Sequence, residues 1–121
     1  MIVLAEKKDL APIVQYQETD SFACRILCIA NIYGNYPFAD FWIQKQEETG
    51  HPTAYLSKMD GGITLFAHEN ADFGELCMFI KMIGASCMIC HASCAEQLHI
   101  IPARTGIIMK WKDRLTEQTS R

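Results

Sequence analysis

The stretch from Tyr55 to His91 constrains the fold more than any other part of the chain. Two short runs of strand composition, Tyr55–Met59 and Ile63–Ala67, flank Asp60-Gly61-Gly62, which is a strong hairpin signal. Beyond them, apolar residues at Phe73, Leu76, Cys77, Ile80 and Ile83 follow the spacing of one helix face. Asp72 with Glu75 makes a capping-box-like start to that helix, and Gly84 a stop. Cys87–Cys90 then reads as a short apolar strand. A hairpin, a capped amphipathic helix and a further strand bury their apolar faces best as a helix laid on a sheet.

The flanking segments extend the same architecture. Met1–Leu4 is a first strand candidate. Asp9 is placed to cap a helix over Leu10–Glu18, with Pro12 tolerated in its first turn. Asp20-Ser21 restarts the chain as a helix over Phe22–Tyr33, apolar except at Arg25 and Asn31, which predicts a helix buried in the core or covered by a partner. Gly34 ends it, and Asn35-Tyr36-Pro37 turns the chain. Residues 41–46 begin apolar and become alternating, as an emerging strand does, and Glu47–Pro52 is a polar loop. Ser93 and Glu96 form a second capping box, opening a short helix to about Leu98. Ile107–Trp111 is a last strand candidate, ahead of a polar C-terminal tail at 112–121. The expected class is α/β: a mixed, mainly antiparallel sheet flanked by helices, in a single domain over 1–111.

Composition narrows the function classes. A net charge of −3 with scattered lysines and arginines leaves no basic footprint, so nucleic acid is not an expected partner. No apolar run approaches the ~18 residues of a membrane span, so no membrane partner is expected. Met1–Glu6 lacks a basic region and turns charged early, unlike a secretory signal, which points to a cytoplasmic chain. In that compartment the six cysteines, Cys24, Cys28, Cys77, Cys87, Cys90 and Cys94, are expected as buried thiols rather than disulfides.

The element order resembles the GNAT N-acetyltransferase superfamily, in which a strand and two helices precede three antiparallel strands. The fourth strand of that family runs through a pyrophosphate-binding loop into a helix, and a fifth strand follows. Here Phe66-Ala67-His68-Glu69-Asn70-Ala71-Asp72-Phe73-Gly74 occupies the loop position. A helix start offers free N–H groups and positive dipole charge to an anion. The family loop reads Gln/Arg-x-x-Gly-x-Gly/Ala, whose glycines let the backbone close on the coenzyme A pyrophosphate. This chain has only Gly74, already within the helix, and places Glu69 and Asp72 beside it. Carboxylates there repel a pyrophosphate. The family's general acid, a Tyr shortly after strand five, has no counterpart among His91–Leu98. No catalytic, cofactor-binding or metal-binding residue carries over, and no cofactor is expected. The chain is similar to the degenerate N-terminal half of those GNAT proteins that pair such a half with a cofactor-binding one.

Cys87-Met88-Ile89-Cys90-His91 matches the C-x-x-C-H haem-attachment pattern, but it falls on a strand and lacks an export signal. Cys87, Cys90, His91 and Cys94 offer thiolates and an imidazole to zinc. On a strand, however, Cys87 and Cys90 point to opposite faces and only a knuckle would bring them together. Cys24 and Cys28 stand one helical turn apart and would join such a site only through tertiary proximity. A redox dithiol at Cys87 and Cys90 needs a helix start to stabilise its thiolate. His91 has no carboxylate nearby in sequence to make it a base, and His51, His68 and His99 are expected as solvated or capping residues. Glu47 and Glu48 read as loop, and Phe38, Phe41 and Trp42 as core or interface packing. The leading expectation is a non-catalytic GNAT-like module that acts in interaction or substrate presentation, with a catalytic GNAT half or a second copy as partner. The alternatives are an acyl-CoA-dependent N-acetyltransferase with an atypical or incomplete cofactor site, and a small Cys/His metal-binding module. They separate on whether Cys87–Cys90 is strand or turn.

Overall fold

A computed structural model describes residues 1–100; the expected strand Ile107–Trp111 and the tail at 112–121 lie outside the described residues. The chain divides into two compact units, Met1–Ile89 and a second that begins at Cys90. The first unit holds a five-stranded sheet in the spatial order β1-β2-β3-β4-β5, formed by Ile2–Leu4, Ala39–Lys45, Pro52–Met59, Gly62–Ala67 and Cys87–Ile89. Every neighbouring pair is antiparallel except β4 and β5, which are parallel. Two α-helices, α1 (Ser21–Tyr33) and α2 (Phe73–Ile83), flank the sheet. The mixed α/β class expected from the sequence is therefore the class observed.

Alternation along the strands sorts the two faces. Ala39, Phe41 and Ile43 of β2, Tyr55 of β3 and Phe66 of β4 share one face, where they form a core with Leu10, Ile13, Ala23, Ile26, Leu27, Ile29 and Ala30. The intervening residues Trp42 and Gln44 point to the other face. There the Trp42 ring meets Phe79 of α2 edge-on at 5.3 Å, and Leu76 and Ile80 are the buried positions of α2. The hairpin forms where expected but is tighter: Met59 pairs with Gly62, so Gly62 belongs to β4 and only Asp60 and Gly61 are the loop, with Asp60 at φ 56. Gly61 serves a close approach. A Cβ there would clash with Ser86 Oγ, because the amides of Ser86 and Cys87 both donate to the Gly61 carbonyl where the chain enters β5.

Several boundaries differ from expectation for local reasons. The segment expected as a helix over Leu10–Glu18 is a 3₁₀ helix over Lys7–Tyr16. Pro12 has no N–H for the Lys8 carbonyl, and bonds such as Asp9 N–H to the Glu6 carbonyl (2.9 Å) have three-residue spacing. Asp9 is not its N-cap but stands three residues inside, its Oδ2 accepting the Glu6 N–H at 2.8 Å. Asp20 does cap α1, accepting from the amides of Phe22 and Ala23. That helix is not buried all round: Ser21, Arg25, Cys28, Asn31 and Ile32 form an exposed stripe, Ile32 at 62%. β3 begins at Pro52, within the expected polar loop, because a register shift at Gln44/Lys45 lets pairing continue past Tyr55. β5 ends at Ile89 rather than Cys90. In the second unit α3 spans Ala92–Gln97 with His91 as N-cap, so Ser93 lies inside the helix and the expected capping box is absent.

The two sides of α1 make opposite predictions. Ile26→Ala, at a fully buried position, is expected to lower stability by about 2–5 kcal/mol, whereas Ile32→Ala stays within about 0.5 kcal/mol. Equilibrium denaturant unfolding of both variants measures the contrast.

Candidate functional site

The start of α2 is built around a side chain that sequence reasoning passed over. Gln44 is 1% exposed and satisfies both ends of its amide. Its Oε1 accepts the Asp72 N–H at 3.0 Å and the Thr53 hydroxyl at 2.7 Å. Its Nε2 donates to the Asp72 carbonyl at 2.9 Å and to Glu75 Oε1 at 2.8 Å. One amide thus holds the residue before the helix by its N–H and its C=O, and ties it to β3. The only sequence signal was a lone polar residue at an inward position of a strand.

The capping box expected from Asp72 and Glu75 is half formed. Asp72 Oδ1 accepts the Glu75 N–H at 3.0 Å, as a cap does. Glu75 does not reach back to Asp72; its carboxylate takes the Gln44 amide and the Met1 ammonium, the latter at 3.0 Å. This ion pair is half exposed and adds little stability. A groove of about 200 Å³ opens beside the helix start, and Glu47, Asp72 and Glu75 are among its lining residues. Lys45 and the Met1 ammonium are the cations on its wall. The helix start therefore faces its own carboxylates, and its electrostatics favour a cation or a neutral polar group over a pyrophosphate. A wider groove of about 400 Å³ by the β1–3₁₀ junction carries both signs of charge, with Glu6, Lys7, Lys8 and Asp40.

On the opposite face, the end of β4 gathers an aromatic cluster. His68, expected as a solvated or capping residue, is half-buried among three rings: Phe66 at 5.4 Å, Tyr16 at 5.6 Å and Tyr55 at 6.4 Å between centroids. The correction follows from alternation, since His68 lies two residues beyond Phe66 and its N–H still donates to the Thr53 carbonyl. Burial, with a smaller contribution from the Tyr16 phenol, pushes the Tyr55 hydroxyl up to about 12. Held neutral, that phenol is a hydrogen-bonding group rather than a base at physiological pH. Nearby in register, Ser57 lies buried opposite Thr64, and its Oγ has no hydrogen-bond partner. Thr64 instead accepts from Arg25 Nε of α1 at 3.0 Å.

The other candidates disperse. Phe41 is core, Trp42 lies on the opposite face, and Phe38 is exposed and stacked on Tyr36. His51, Glu47 and Glu48 are exposed in the β2–β3 loop. His99 is exposed in the left-handed region at φ 58. All six cysteines are thiols rather than disulfides, but only Cys90 and Cys94 are buried; Cys24, Cys77 and Cys87 are half-buried and Cys28 is exposed. Burial, reinforced by Cys94, pushes the Cys90 thiol up to about 12, which is the reverse of an activated thiolate. Cys87 sits in β5, on a strand rather than in a turn. Among the described residues no three His, Cys, Asp or Glu side chains are gathered as a metal ion would need, and no helix is long and apolar enough to cross a membrane.

Comparison of the chain with protein-family models, with curated proteins and with solved structures gives no match.

Two measurements address these groups. Gln44→Leu leaves the Asp72 amide without its acceptor and the Thr53 hydroxyl with only the backbone carbonyl of residue 44, and is expected to cost about 1–3 kcal/mol in chemical unfolding while the Asp72 amide exchanges faster by NMR. For Tyr55, the folded-state value lies above the ordinary 10.0, so the phenol's contribution is complete below pH 10 and is lost as pH rises towards 12. Tyr55→Phe should flatten the alkaline fall in melting temperature across that window relative to the parent chain.

Proposed function

We propose that this chain is a GNAT-like module that does not hold coenzyme A on its own and instead serves interaction or substrate presentation, partnered by a catalytic GNAT half or by a second copy. The observation that carries this reading is the occupied start of α2. Asp72 spends its carboxylate on the Glu75 amide, and Gln44 holds the Asp72 backbone on both sides. A pyrophosphate arriving there meets Asp72 and Glu75 before it meets free N–H groups. The sheet order with β4 and β5 parallel supports the GNAT-like part of the reading, which otherwise rests on element order. The partner role draws support from apolar side chains left in solvent: Met78 and Met82 of α2 are each 74% exposed, one helical turn apart.

A second reading, an acyl-CoA-dependent N-acetyltransferase with an atypical or incomplete cofactor site, is favoured by one feature. β5 pairs only with Gly62–Thr64, so Leu65–Ala67 continues past the end of the parallel ladder. An extended ligand could hydrogen-bond along such an edge. It would still need its phosphates neutralised by cations from elsewhere.

A thermal-shift titration with acetyl-CoA, paired with calorimetry, decides between the two. The module reading expects no saturable shift at millimolar ligand. A ligand at 100 times its Kd would stabilise the fold by about 2.7 kcal/mol, several degrees for a domain of this size. A shift of that kind with one-to-one stoichiometry would put the enzyme reading first.

A further inference from the structure

Cys24 and Cys28 form a pair of their own on α1. They lie on successive turns of α1, with their Sγ atoms 4.0 Å apart and in mutual contact. Cys28 is exposed and Cys24 half-buried, so the pair opens to solvent beside the stripe that Arg25 and Ile32 share. We propose that Cys24 and Cys28 form a two-sulfur site for a thiophilic, low-coordinate cation, copper(I) being the test case.

The separation suits the task. Two metal–sulfur bonds of about 2.3 Å span roughly 4.6 Å end to end and about 3.8 Å at a tetrahedral angle. The observed 4.0 Å falls between these limits, so small χ1 adjustments reach either. The donor set then selects the metal. No third His, Cys, Asp or Glu joins the pair among the described residues. Zinc would be left with two protein ligands and water for the rest, whereas copper(I) accepts two thiolates alone. Carboxylate-seeking cations such as magnesium or calcium find no oxygen cage here.

The surroundings argue against redox chemistry at the same pair. A reactive dithiol needs a stabilised thiolate. Here burial of Cys24 and its contact with Cys28 raise the Cys24 thiol, the opposite of a stabilised thiolate. The nearest cation in sequence, Arg25, has its Nε committed to Thr64. A metal does not need a pre-formed thiolate, because it displaces the protons as it binds. The step balances without an oxidant: two thiols and one copper(I) ion give a bis-thiolate complex with one negative charge and two released protons.

The experiment uses the full reduced chain under anaerobic conditions, titrated with copper(I) held by a chromophoric competitor. Bound copper is read from the competitor's absorbance. Protected cysteines are identified by alkylation and mass spectrometry. One copper(I) per chain, with Cys24 and Cys28 protected together, is the expected result. Cys28→Ser, at an exposed position that does not threaten the fold, should weaken binding by roughly 100-fold or more, because the second sulfur no longer closes the chelate intramolecularly. Cys77→Ser should leave it unchanged. Equal copper affinity in Cys28→Ser and the parent would overturn the proposal, as would protection of other cysteines instead. Zinc protecting the same two thiols at equal concentration would also overturn it, since that requires further ligands.

Discussion

The side-chain amide of Gln44 is the constraint on which the arrangement of the first unit turns. A helix laid on a sheet can slide and rotate while its apolar face remains covered, since burial of area has little direction. Hydrogen bonds have direction. By binding the N–H and the C=O of Asp72 at once, Gln44 fixes both the height and the rotation at which α2 starts. Thr53 locks the amide in turn, and buried satisfied groups of this kind cost several kcal/mol to strand. The register shift at Gln44/Lys45 belongs to the same device, for it sets Thr53 beside Gln44.

That device also shapes what the site can bind. Helix starts attract anions through unspent N–H groups, and here the Glu75 N–H is taken by Asp72 Oδ1. The anchoring of α2 thus also sets two carboxylates, Asp72 and Glu75, at its N-terminus. The aromatic cluster at His68 lies on the other face of the sheet, so the two polar features at the end of β4 do not act on one ligand from one side.

Much of the scaffold was legible because periodicity and punctuation agree. Asp60-Gly61, Asp72 and Gly84 each mark a boundary that local chemistry alone imposes, and the structure places all three as read. The failures have a different origin. Pro12 within an apolar period left open which kind of helix would form. Ser93 with Glu96 has the spacing of a capping box, but the helix starts one residue after His91 and leaves Ser93 inside it. Gln44 and His68 were invisible as site residues because what recruits them comes from across the sheet: Asp72 is 28 residues away in one case, and Tyr16 packs on the strand end in the other. Cys24 and Cys28 had the right spacing in sequence, but four residues on a helix says nothing about whether both thiols turn towards each other.

The contact between Gly61 and Ser86 has a consequence for the order in which the chain closes. β2, β3 and β4 form a meander whose partners are close in sequence, and such pairings have a low entropic cost. β5 cannot join by a hairpin, because it runs parallel to β4 and must wait for α2 to cross the sheet. The carbonyl at the hairpin tip, receiving the amides of Ser86 and Cys87, is where that crossover lands. The hairpin tip is therefore also the dock for β5, and the absence of a Cβ at Gly61 leaves room for it.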